Sequence, residues 1–200
     1  MCYLCENSLN QNDLDQIVYL DCSDCDQVRT LPENLPNLKF LSIYNTNIEE
    51  IPSYQLLESL YCFNTPVKEL PSLPKLRKLV AQYTKIEYIP DDYYRVEVVN
   101  INDTKVASIP ESMISLRWLS AKNTLVSDIS SKLISLEWLS IQNTRVREMP
   151  STMISLQYLN CSGTTVSEIN THRYPMLRKL ECRGCPIDPF SFTNGLDVMG

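Results

Sequence analysis

Apolar residues return along this chain on a steady beat of about twenty positions. Aligned on the Thr or Cys that closes each strand-like run, the beats are Cys25, Thr46, Thr65, Thr84, Thr104, Thr124, Thr144, Thr164 and Cys185, with steps of 21, 19, 19, 20, 20, 20, 20 and 21. The apolar positions around each beat are constant. One unit carries Leu38, Leu41, Ile43, Thr46, Ile48, Ile51 and Pro52; another carries Leu136, Leu139, Ile141, Thr144, Val146, Met149 and Pro150. A fixed period of this length predicts stacked repeats, because one unit cannot cover its own apolar flanks. In "LEWLSIQN" Leu139 and Ile141 alternate with polar residues, as in a strand with one buried face. A proline follows Ile51, Leu70, Ile89, Ile109 and Met149. Lacking an N–H, it cannot sit in a central ladder and marks the turn onto the outer side. Connections such as "IPESMISL" are too short and Pro-broken for a full helix, so extended, polyproline-like or single 3-10 turns are expected. With only 4 glycines, the tight turns rely on Asn, Asp and Ser.

The template L-x-x-L-x-[ILVAC]-x-x-[TC]-x-[VI]-x-x-[IL]-P resembles the leucine-rich repeat family, whose unit is L-x-x-L-x-L-x-x-N/C-x-L. The short period and recurrent Ile-Pro are similar to the short repeats of bacterial effector proteins. The resemblance covers residues 14–187. It implies an α/β solenoid: a leucine-rich-repeat horseshoe with a parallel concave β-sheet of about nine strands and mostly non-helical convex segments. At ~4.8 Å between strands this is a curved rod of roughly 40–45 Å. Residues 1–200 are then a single domain, with 1–13 an N-terminal cap or degenerate repeat, 14–187 the repeats, and 188–200 a C-terminal cap or tail. The resemblance also implies that the Thr or Cys of each beat faces inward and donates a hydrogen bond to the neighbouring coil's backbone.

A net charge of −6 argues against a nucleic-acid partner, which calls for clustered Lys and Arg. No apolar run approaches the ~20 residues of a membrane span. The start "MCYLCENSLN" lacks a basic n-region and an apolar stretch, so a cytoplasmic protein is expected, acting in a host cytoplasm if its source is a pathogen or virus. Cys2-x-x-Cys5 followed by Cys22-x-x-Cys25 is a spacing read as a four-thiolate zinc site, and Cys182-x-x-Cys185 adds a third pair. Yet Cys22, Cys62, Cys161 and Cys182 occupy the inward position that Ile43 and Ile141 fill elsewhere. Core packing is the expectation, with zinc and, in an oxidising compartment, disulfides as the alternatives. No cofactor is expected.

Side chains pointing away from the core line the concave face. The position before each strand's central apolar residue holds, among others, Tyr19, Phe40, Trp118, Trp138 and Tyr158. Tyr61 lies one position after that residue, and Tyr44 and Phe63 lie three after it. The core is already supplied by Leu and Ile. Trp118, Trp138 and Tyr158 are therefore read as an aromatic ladder and Tyr19, Phe40, Tyr44, Tyr61 and Phe63 as a second patch, both partner-binding on a solvated face, with cross-strand packing as the alternative. His172 falls on a convex loop and Asp91-Asp92 starts a turn. Two glycosylation sequons, at Asn102 and Asn160, sit at strand ends and are discounted. No phosphate-loop, dinucleotide, nucleophile-elbow or zincin motif occurs. The expected function is a non-enzymatic scaffold, monomeric or weakly dimeric, that binds a protein partner. The runner-up is the recognition part of a larger effector or ubiquitin-ligase-type protein whose catalytic or adaptor domain lies elsewhere.

Overall fold

The computed structural model describes residues 3–6, 10–187 and 196–199. Two short helices, α1 (Tyr3–Glu6) and α2 (Gln11–Asp15), precede a single parallel sheet. Its strands run in chain order: β1 (Tyr19–Asp21), β2 (Phe40–Ser42), β3 (Ser59–Tyr61), β4 (Lys78–Val80), β5 (Val98–Asn100), β6 (Trp118–Ser120), β7 (Trp138–Ser140), β8 (Tyr158–Asn160), β9 (Lys179–Glu181) and β10 (Asp197–Met199). Each strand pairs in parallel with the next, so one turn of chain separates neighbours. The tenth strand exceeds the expected nine; it lies beyond the last Thr/Cys beat, where the repeat pattern is silent.

The pattern of burial explains the coil. In the turn around β7, Leu133, Leu136, Leu139, Ile141 and Val146 are all fully buried, and equivalent residues of every coil join one continuous core. Among the described residues the outer segments hold one short 3-10 helix, Thr171–Arg173, and otherwise turns and irregular stretches. Helix α2 is started by a capping box: Asn10 Oδ1 accepts from the Asp13 backbone N–H at 3.2 Å, and Asp13 Oδ2 accepts from that of Asn10 at 3.0 Å. Asn37 Nδ2 ties the helix end to the second coil by donating to Asp15 O at 2.9 Å.

The Thr beat departs from expectation. Each threonine is inward and buried, but its hydroxyl donates within its own coil, three residues back: Thr46 to Ile43 O, Thr104 to Ile101 O and Thr144 to Ile141 O, each at 2.7 Å. The residue before each beat sits in the left-handed region, with φ of 55° at Asn45, 57° at Asp103 and 56° at Asn143. This sharp bend folds the following hydroxyl over its own strand-end carbonyl. Cys185, by contrast, reaches the preceding coil, donating to Cys161 O at 2.9 Å.

Candidate functional site

The strand register places the outward residues in rows. Tyr19 pairs with Phe40, Phe40 with Ser59, Lys78 with Val98, Val98 with Trp118, Trp118 with Trp138, Trp138 with Tyr158, and Tyr158 with Lys179. A three-residue strand with its middle residue buried must present its outer two on the concave side.

Two aromatic clusters result. In the C-terminal one, Trp118 and Trp138 stack at 4.4 Å between centroids and 10° between planes, and Trp138 and Tyr158 at 4.8 Å and 7°. Lys179 Nζ caps this stack, 5.5 Å from the Tyr158 ring. In the N-terminal cluster, Tyr19 stacks on Phe40 at 4.3 Å and Tyr44 on Phe63 at 4.4 Å, while Tyr61 tilts against Phe40 at 5.3 Å. Lys78 Nζ caps that cluster, 5.1 Å from the Tyr61 ring. All eight predicted aromatic residues therefore lie on one face, in two groups. Lys78, Val80 and Gln82 of one coil and Val98, Asn100 and Asn102 of the next separate them.

Solvation differs from the sequence reading. Only Tyr19, at the end of the stack, is largely open, at 61% exposure; the other seven rings are half-buried. The strand spacing brings flat rings face to face, so each ring covers its neighbour and turns its edge to solvent.

Polar contacts hold the rest of the face. Ser120 Oγ donates to Asn102 Oδ1 at 2.7 Å, and the Lys122 backbone N–H donates to the same oxygen at 2.8 Å. Glu181 accepts from Asn160 Nδ2 at 2.8 Å and pairs with Lys179 at 2.8 Å. The Lys179 ammonium holds the Glu181 carboxyl below its ordinary range, and Glu181 in turn raises Lys179.

Among the cysteines proposed as zinc ligands, Cys2 lies outside the described residues. Cys5 Sγ is 3.7 Å from Cys25 Sγ, and Cys22 and Cys25 are buried. Among the described residues no group of three or more His, Cys, Asp or Glu could hold a metal ion. Burial pushes the Cys62 thiol up to about 12, and raises Cys161 as well. His172 is exposed on the 3-10 turn. No helix among the described residues is long and apolar enough to cross a membrane.

Sequence reasoning passed over three buried tyrosines. Tyr54 and Tyr93 take a core position that Leu73 and Leu133 fill in other coils, and their hydroxyls donate to Pro32 O at 2.7 Å and Pro71 O at 2.8 Å of the preceding coil. Tyr174 does the same to Pro150 O at 3.0 Å. The signal was available: each stands three residues before an inward apolar residue (Leu57, Val96 and Leu177).

No family model and no curated protein matches the sequence. Solved structures do match. The functional domain of InlJ from Listeria monocytogenes, described as including a cysteine ladder, superposes with a TM-score of 0.83 at 14% identity, over 97% of this chain and 46% of that one. An internalin (InlF) from the same organism gives 0.83 at 17% identity, over 94% and 62%. YopM from Yersinia enterocolitica gives 0.70 at 20% identity, over 86% and 41%. The chain thus spans less than two thirds of the length of each of these three. These likenesses, at 20% identity or below, are of fold: a solenoid of coils whose parallel strands form one sheet in this chain. On these likenesses the chain has the short-repeat form of the leucine-rich-repeat fold.

Proposed function

We propose that the protein is a non-enzymatic scaffold that binds a protein partner on its concave sheet. The observation that carries this reading is the pair of half-buried aromatic clusters, each spread over three adjoining strands and each capped by a lysine. Trp and Tyr are favoured interface anchors because they bury a large area at low entropy cost. Their edges carry the positive end of the ring quadrupole. The three outward rows also hold Lys78, Lys122, Lys179 and Arg183 against Asp21 and Glu181, on a chain whose net charge is −6. An acidic, partly apolar segment of a partner fits such a face. The protein works in the cytoplasm on this reading.

A second reading is favoured by one observation. Matched structures run well beyond this chain's length, so the solenoid serves equally as the recognition part of a longer effector or ubiquitin-ligase-type protein.

Affinity capture with wild type and with the Trp118→Ala, Trp138→Ala double variant tests the proposal. The expected result is at least tenfold weaker partner retention by a variant whose circular dichroism and melting are nearly unchanged. Equal retention by both proteins, or a variant that unfolds, assigns the rings to sheet packing instead.

A further inference from the structure

The repeated "IS-L" of the later coils places an isoleucine where no core contact needs it. Ile114, Ile134 and Ile154 are 56%, 53% and 60% exposed, and Tyr94, at the same place one coil earlier, is 45% exposed. They sit in the turn that leads each coil back into its strand, away from the concave face. Ser135 Oγ donates to Ile114 O at 2.9 Å and so fixes successive turns of this row side by side. The small residues Ser115, Ser135 and Ser155 follow the isoleucines and leave the stripe open to close approach.

A second row runs beside it, three residues further along each coil. Lys39, Glu58, Arg77, Glu97, Arg117 and Glu137 alternate in sign over six coils, followed by Gln157 and Arg178. Their backbones are bonded coil to coil, and their side chains pair as Lys39–Glu58 at 3.7 Å, Arg77–Glu97 at 2.7 Å and Arg117–Glu137 at 2.6 Å. An anionic lipid surface or a polyanion would call for one sign only. Alternation is the pattern that complements its own reverse.

We propose that this rim docks a second copy of the chain, antiparallel, about a two-fold axis passing between β6 and β7. That operation is the one that satisfies both rows at once. It lays Ile114 against the second copy's Ile134, and Tyr94 against its Ile154. It sets Arg117 opposite Glu137 in both directions, and Glu97 opposite the neutral Gln157. One coil further out, Arg77 would face Arg178, so the contact ends after four coils. Four coils span only ~20 Å along the rim at ~4.8 Å per strand, so the contact is small and the dimer weak, with dissociation constants on the order of tens to hundreds of micromolar. Its concave face stays free.

Sedimentation equilibrium from about 10 µM to about 1 mM tests the proposal over the range this affinity predicts. Wild type should associate, and Trp118→Ala with Trp138→Ala should associate equally. Arg117→Glu alone and Glu137→Arg alone should each lose association by at least tenfold. The decisive arm mixes these two single variants: every pair across the axis is then opposite in charge, so a heterodimer should form at wild-type strength although neither variant pairs with itself. Adding Ile134→Asp to both should abolish it. A wild type that stays monomeric throughout, single variants that associate like wild type, or a mixture that does not recover association would each overturn the proposal.

Discussion

Nine residues, one per coil, hold a positive φ immediately before the Thr or Cys beat: Asp24, Asn45, Asn64, Tyr83, Asp103, Asn123, Asn143, Gly163 and Gly184. Asn and Asp tolerate this region because their short polar side chains bond locally. Here they bond to each other. Asn64 donates to Asn45 at 2.8 Å and Asn45 to Asp24 at 2.7 Å; Asn143 donates to Asn123 at 2.9 Å and Asn123 to Asp103 at 2.7 Å. Each ladder ends on an aspartate, which only accepts. Tyr83 separates the two. At the other end of the second ladder a Cβ on Gly163 would stand 2.1 Å from Asn143 Oδ1, whereas a Cβ on Gly184 would meet nothing nearer than 4.0 Å. Gly184→Ala therefore costs only its left-handed backbone, about 1 kcal/mol, and Gly163→Ala, by displacing the Asn143 side chain, also loses the hydrogen bond that Asn143 Nδ2 donates to Asn123, for about 2 kcal/mol in total. Chemical denaturation of both variants measures the difference; equal losses would mean that Asn143 swings aside freely. The thiols follow from burial at the same scale. With Cys62 raised to about 12, its thiolate is negligible at neutral pH, so peptide mapping after iodoacetamide treatment should find Cys62 alkylated only in denatured protein.

A strand here is three residues long, so its stability comes from the residues that flank it in the core. Leu139 is fully buried at the centre of β7, between Leu119 and Leu159 of the adjoining strands. Leu139→Ala should cost ~2–5 kcal/mol, since the neighbouring coils are tied by backbone bonds and cannot collapse into the cavity. Trp138, one residue away, faces the other side. If the rings serve a partner, thermal melts should show the Trp118→Ala, Trp138→Ala variant clearly more stable than the Leu139→Ala variant.

Stacking makes the whole molecule quasi-one-dimensional, with each coil sharing its backbone bonds mainly with its neighbours. The ends are then the first parts to open. Near the C-terminal end, Glu181 bonds to Lys179 and to Asn160 of the preceding strand, and its carboxyl lies below its ordinary value of 4.5. A carboxyl depressed in the folded state stabilises that state above the unfolded pKa, and the contribution disappears as pH falls through the folded one. Hydrogen exchange from pH 6 down to about 3 should accordingly show β8 and β9 losing protection while β5 and β6 keep theirs. Uniform loss along the solenoid would refute this.

The path of the coil was legible in the letters, because it depends on contacts every repeat makes in the same way. The inward Leu and Ile, the Pro at the outer turn and the alternation about Leu139 each report a local preference written many times over, so the parallel sheet, its register and the gathering of eight aromatic residues on one face could be read without coordinates. What the coil's neighbours do to it could not. Whether a threonine bonds its own coil or the next, whether Tyr54 is a surface ring or a core residue reaching Pro32, and whether Trp118 and Trp138 are solvated or shield each other depend on groups about twenty residues away. Stacking brings those groups within one strand spacing, and that proximity also made neighbours of the charges on the rim and the amides in the turns.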